Sequence, residues 1–164
     1  MELVPSTIEK IERSQFLTFL DTTPSSTATY AVLGIGITDY GIDYNPNVDT
    51  EKWIIEKNSR VDHTSNEKQG SVTQKCYKND PCFEFVQAGR DKLNYRTKIL
   101  DIDVWNETGS SYPATLSEGK IVVTSYMGEN AEIKYDLYYD GDAIEGTATI
   151  DADGIPTFVP NTSL

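Results

Sequence analysis

Few residues in this chain could do chemistry, and their spacing decides against most of what they could do. Cys76 and Cys82 lie six apart across Tyr77 to Pro81. That separation permits a disulfide. The start Met1-Glu2-Leu3-Val4-Pro5, however, has neither the basic nor the apolar region of an export signal, so two reduced thiols are expected. Two cysteines and the single histidine, His63, fall short of a four-ligand zinc site, and the cysteine spacing matches no zinc knuckle, so no metal is expected. His63 stands in the polar stretch Asp62-His63-Thr64, and no G-x-S-x-G elbow occurs, which leaves a solvated loop histidine rather than Ser-His-Asp chemistry.

Gly34-Ile35-Gly36 begins like a dinucleotide fingerprint, but Asp39 stands where the third glycine belongs; the glycines read instead as a bulge or a close backbone approach. Asp151-Ala152-Asp153-Gly154 resembles part of a calcium loop, yet Thr149 replaces the first Asp and Asp153 directly precedes the Gly, so a turn is expected. Asn106-Glu107-Thr108 and Asn161-Thr162-Ser163 match glycosylation acceptors, which count only on an exported chain. Carboxylate pairs for glycoside hydrolysis are defined in space, so spacing is silent about them. Neither a catalytic constellation nor a cofactor site emerges, and the chain is not expected to be an enzyme.

The elements that carry these residues form one domain's worth of chain, 164 residues. The 38% apolar fraction includes ten Tyr, so the core is thin, and no apolar run approaches the roughly 20 residues needed to span a bilayer; no membrane partner is expected. Fourteen basic residues against 26 acidic give a net charge of −12, which repels nucleic acid. Eight acids and one base, Lys134, fall between Glu129 and Gly154, interleaved with Ile, Leu and Tyr in the manner of charged strands.

A capping-box pattern at Ser6-Thr7-Ile8-Glu9 predicts a short helical start. Strands are expected over Gln15–Leu20, Thr29–Ile37, Glu51–Ile55 and Gly70–Tyr77, with alternation also over Asp39–Asn45 and a polar loop of about a dozen residues from Asn58 to Gln69. Asp80 as N-cap and Pro81 at the first position predict one helix over 81–93, with Cys82, Phe85, Val86, Gly89 and Leu93 on one face. Period two returns over Lys98–Trp105, Ser117–Tyr126, Glu132–Tyr139, Glu145–Asp151 and Ile155–Val159, with Asp140-Gly141 as a hairpin turn. Alternation puts Ile133, Tyr135, Leu137 and Tyr139 on a dry face, and Glu132, Lys134, Asp136, Asp101 and Asp103 on wet, acidic ones. Strands, one helix, then more strands point to a mainly β fold, an antiparallel sandwich or barrel. The organisation expected is an N-terminal arm over 1–14, a single domain over 15–160 and a C-terminal tail over 161–164.

Leu33-Gly34-Ile35-Gly36-Ile37-Thr38-Asp39, Tyr44-Asn45-Pro46 and Trp53-Ile54 resemble the opening of the major tail (tail tube) proteins of siphophages that infect Gram-positive bacteria. Tyr77-Lys78-Asn79-Asp80-Pro81-Cys82-Phe83-Glu84-Phe85 is similar to that family's strand-to-helix junction. Gly141-Asp142-Ala143-Ile144-Glu145-Gly146-Thr147 and Gly154-Ile155-Pro156-Thr157-Phe158-Val159-Pro160 are similar to its close. The resemblance runs from about Thr29 to Pro160 and rests on the order of these segments.

It implies a β-sandwich with a flanking helix, six copies to a ring and rings stacked into a virion tail tube, assembled in the bacterial cytoplasm. Partners would be further copies of the chain, a tape-measure protein, a tail terminator and baseplate or tail-initiator proteins, with DNA passing through unbound. Six copies lending about four strands each would close a barrel of about 24 strands, and barrels of 16–18 already hold an aqueous channel. By the family's habit, Glu118, Lys120, Glu132, Lys134 and Asp136 would face the lumen, and an acidic wall would repel phosphates. The loop with Asn58, Arg60, Asp62, His63, Asn66 and Lys68 would reach a neighbouring subunit or ring. The alternatives are the tube of a phage-like bacteriocin or contractile injection system, or a carbohydrate-binding β-sandwich using Trp105, Tyr135, Tyr138 and Tyr139 as stacking platforms.

Overall fold

The computed structural model describes residues 5–161. The fold is mainly β with one short helix. In chain order the elements are β1 (Phe16–Asp21), β2 (Tyr30–Val32), β3 (Pro46–Glu51), β4 (Arg60–Asn66), β5 (Gln69–Lys75), α1 (Pro81–Ala88), β6 (Tyr95–Asp103), β7 (Tyr112–Tyr126), β8 (Glu132–Ile150) and β9 (Pro156–Pro160). Seven strands make one antiparallel sheet in the order β2-β1-β6-β7-β8-β5, with β9 also on β8. The segment after β2 bridges back to β5 at Ile37–Gln74 and Asp43–Gln69, so this half of the sheet curls into a nearly closed barrel. Gly36 makes that closure possible. Its φ is +77°, and a Cβ there would sit 2.6 Å from the Lys75 carbonyl oxygen, the close backbone approach expected of these glycines, whereas Gly34 has open space around it.

The expected hairpin at Asp140-Gly141 is absent, because β8 runs through it for 19 residues. Leu116 and Glu118 of β7 face Ile144 and Asp140, so Gly141 to Ala143 loop out as a bulge. Asp-Gly signals a positive φ, here 78° at Gly141, and a bulge uses that conformation as readily as a two-residue turn. The first half of β8 pairs with β5 and the second with β9.

Two cores result. Leu20, Ile99, Ile121, Ile133 and Leu137 pack with Cys82 and Val86 of α1 in the barrel. Phe19, Leu100, Ile102, Ala114 and Ala148 pack on the other side of the sheet. Adjacent residues of a strand point to opposite faces, so β1 and β6 serve both cores. Asp101 is therefore buried, not on a wet face as its alternation suggested.

α1 starts as expected, with the Asp80 carboxylate accepting from the Cys82 amide at 3.2 Å and Pro81 in the first turn. It ends at Ala88 rather than 93. The Tyr95 ring occupies the space a Cβ on Gly89 would need, and its hydroxyl donates to the Phe85 carbonyl at 2.8 Å, satisfying one orphan of the helix end. Leu93 is consequently 93% exposed rather than on the helix's buried face.

Other boundaries shift. The 5–12 segment has a turn but no helix, and a 3₁₀ turn follows at Arg13–Gln15. The strand expected over Thr29–Ile37 is only Tyr30–Val32, and Asp39–Asn45 forms a single bridge. Glu51 closes β3, and residues 53–56 turn instead of extending. The expected 58–69 loop contains β4, paired antiparallel with β3 in a separate two-stranded sheet. The tail from 162, including most of Asn161-Thr162-Ser163, and the first four residues of the N-terminal arm lie outside the described residues.

Candidate functional site

The β3–β4 hairpin differs from the rest of the molecule in that all its strand residues are exposed. Its tip carries Trp53, Ile54 and Ile55 at 47%, 102% and 84% exposure. Arg60 holds the tip together: its guanidinium lies 4.0 Å from the Trp53 ring centroid and bonds the Glu56 carboxylate at 2.8 Å. Asn47 donates to the Ser65 hydroxyl at 3.0 Å, and the Thr64 hydroxyl donates to the Asn47 carbonyl at 3.1 Å. Asp49 and Asp62 stand directly opposite one another, a like-charge pair that weakens the ladder. Of the residues expected to contact a neighbour, Arg60, Asp62, His63 and Asn66 lie on β4, Asn58 lies in the tip and Lys68 at the root. His63 is solvent-exposed, with Nε2 2.6 Å from the Asn66 side-chain oxygen.

At the root, Asn45 adopts φ 42° and its side chain donates to the Glu67 carbonyl at 3.0 Å, closing the neck of the hairpin. Lys68 lies between two rings, its Nζ 5.1 Å from Tyr44 and 4.5 Å from Tyr139. The Tyr139 hydroxyl donates to Asp101 Oδ2 at 2.9 Å, Thr18 donates to Oδ1 at 2.7 Å, and the Tyr40 and Tyr139 hydroxyls are 3.1 Å apart. Burial raises the Asp101 pKa above its ordinary value, opposed by the Thr18 and Tyr139 hydrogen bonds and by the Lys68 charge. Burial and the Asp101 charge together push the Tyr139 hydroxyl far up, so it stays a donor. The hairpin thus springs from a hydrogen-bonded base. Alternation could not reveal that base, because its members come from five separate strands and loops.

The residues assigned to a lumen wall share one solvent face. β7 and β8 place Glu118 opposite Asp140, Lys120 opposite Tyr138 and Val122 opposite Asp136, while β5 adds Lys75 opposite Glu132 and Thr73 opposite Lys134. β6 contributes Lys98 opposite Glu118 and Arg96 opposite Lys120. Charge on this face is mixed, not acidic as expected: five cations alternate with four carboxylates. Arg96–Glu118 is 3.4 Å, Lys120–Asp140 is 3.6 Å, and Ser71 donates to Asp136 at 2.8 Å. Such exposed pairs contribute little to stability but fix a charge pattern.

The remaining candidates are structural. Both cysteines are free thiols; Cys82 is fully buried, and burial with the nearby Asp80 pushes its thiol up to about 12, leaving no reactive thiolate. Asp80 bonds Gln74, Gln74 donates to the Ile35 carbonyl, and Tyr135 donates to Gln74, a buried network that ties α1 to the barrel. Tyr135 is buried, which removes one of the four proposed sugar platforms, and Tyr139 is half-buried with its hydroxyl on Asp101. Asp151 is a turn: its Oδ1 accepts from the Asp153 and Ile155 amides at 2.9 Å each. Among the described residues no helix is long and apolar enough to cross a membrane, and no cluster of three His, Cys, Asp or Glu side chains could hold a metal. Compared with protein-family models and with curated proteins, the chain matches none.

Proposed function

We propose that this chain is a structural subunit that polymerises with copies of itself into a hollow tube, the major tail tube protein of a siphophage. The observation that carries the reading is the β3–β4 hairpin: an entirely exposed two-stranded sheet, with an apolar tip, held on a hydrogen-bonded root. An isolated hairpin is marginal in water, and three large apolar side chains at its end gain free energy only when a partner covers them. Repeated contacts of this kind between like subunits give rings or stacks. The face carrying Glu118, Lys120, Glu132, Lys134 and Asp136 is the candidate channel wall. Its balanced charge suits a conduit, since a polyanion beside it meets neither strong attraction nor strong repulsion. Tape-measure, terminator and tail-initiator proteins are the further partners, the virion tail is the location, and DNA is in transit only.

Negative-stain microscopy of the concentrated protein should show rings or filaments. Combining Trp53→Ser, Ile54→Ser and Ile55→Ser should leave the melting profile of the body intact and abolish them. A wild-type protein that stays monomeric when concentrated, and also when mixed with a tail-initiator complex, overturns the reading.

A further inference from the structure

The chain contains two Asp-Gly steps, Asp140-Gly141 within β8 and Asp153-Gly154 in the turn before β9. An aspartate followed by glycine can rearrange without a catalyst, because glycine has no Cβ to shield its amide. The glycine nitrogen attacks the aspartate side-chain carboxyl carbon, and a C–N bond forms. The amide proton and the carboxyl hydroxyl leave together as water, which gives a five-membered imide. Water then opens the ring at either carbonyl. One opening restores aspartate; the other gives isoaspartate, whose main chain runs through the side-chain methylene. One water is released and one is taken up, so the mass is unchanged and nothing is oxidised or reduced.

Ring closure needs the carboxyl group and the next amide to swing toward one another, so the fold sets the rate by how firmly it holds both. The two steps differ in this. At Asp153-Gly154 the Gly154 amide donates to the Asp151 carbonyl at 3.0 Å, and the neighbouring Asp153 and Ile155 amides both donate to Asp151 Oδ1 at 2.9 Å. The Asp151 amide donates to the Ile155 carbonyl at 3.1 Å and closes the turn. The attacking nitrogen is thus occupied and its surroundings are pinned. Asp140 instead stands on the last rung before the β7 ladder lapses, and pairing resumes at Ile144. On the opposite edge of β8, β5 reaches only to Tyr138 and β9 begins at Gly146. Gly141 therefore has no ladder partner on either edge, and open space lies where a Cβ would stand. Asp140 to Ala143 are all exposed. Among the described residues the Asp140 carboxylate is held only by the Lys120 ammonium at 3.6 Å, an exposed ion pair of the kind that restrains little.

We infer that Asp140-Gly141 is a modification site at which this protein forms isoaspartate spontaneously, while Asp153-Gly154 is protected by its turn. The product lengthens the β8 main chain by one methylene at the gap in its ladder. It also takes the carboxylate off its methylene arm and so away from Lys120. The inference needs only the folded single chain and is independent of the self-assembly reading.

The test ages the full-length protein in warm neutral buffer and samples it over weeks. Cleavage after glutamate puts the two steps on separate peptides, since Glu145 lies between them. Isoaspartate is read in each peptide by labelled methyl transfer from S-adenosylmethionine with an isoaspartate methyltransferase, and by the split elution of forms of equal mass. In the native protein it should accumulate several-fold faster at Asp140 than at Asp153. In urea, where neither step is held, the two rates should converge. Equal native rates, or a faster Asp153, overturn the inference. A difference that persists unchanged in urea also overturns it, because the neighbouring side chains and not the fold would then set it. Asp140→Glu, at an exposed position and with the charge kept, should abolish the signal in the Asp140 peptide alone; a signal that survives there defeats the assignment.

Discussion

The body and the hairpin of this protein obey different rules of stability. In the body, β6 has side chains buried on both faces from Ile99 to Ile102, and every polar atom of Asp101 is hydrogen-bonded. In the hairpin all strand side chains meet water, and Asp49 confronts Asp62 across the ladder. Under the proposed self-assembly, a neighbouring copy would cover the side chains that this hairpin leaves exposed.

Substitutions can break that contrast. The largest effect belongs to the barrel core: Ile99→Ala or Leu137→Ala should each cost about 2–5 kcal/mol in urea unfolding, whereas Val61→Ala in the hairpin should stay within about 0.5 kcal/mol. A comparable loss at Val61 would mean that the hairpin folds as part of the body.

Asp101→Ala comes next, at about 1–3 kcal/mol, because it strands the Thr18 and Tyr139 hydroxyls. Burial raises the Asp101 pKa, so the native state holds this proton more tightly than the unfolded chain does. Its contribution is most favourable below the ordinary Asp value of 3.8 and is lost as pH rises through the raised native value. Wild type should accordingly lose stability relative to Asp101→Asn across that window, with a flat difference above it, measured as urea midpoints over a pH series. Parallel curves would show that burial does not set the titration.

The smallest effect sharpens the comparison. Asp49→Lys replaces repulsion by attraction to Asp62 and should add about 0.2–1 kcal/mol to the hairpin alone. Amide exchange should slow at Thr50 and Val61 while the global midpoint holds.

What could be read from the sequence follows the same division. Asp80-Pro81 marks a helix start by local chemistry, and Tyr135 and Leu137 show their burial by period two. β4 was hidden because period two records a dry side, and Arg-Val-Asp-His-Thr-Ser-Asn has none when both faces are wet. Leu93 fits the helical period and so extends the expected helix to 93, while the Tyr95 ring that stops it acts from the next strand. Asp101 looked exposed because alternation registers one packing layer and β6 lies between two. Trp53, Ile54 and Ile55 fit a strand by composition, and nothing local tells that they form an uncovered turn at the tip of a hairpin.

The uninterrupted course of β8 has a mechanical meaning. Because one strand of 19 residues belongs to both cores, pulling on β9 at one end stretches the ladder that holds β5 at the other. Neither half can loosen without tugging its sibling. The two ends share one continuous backbone, and Gly141 to Ala143, where the chain leaves the ladder, are the place at which that backbone can give.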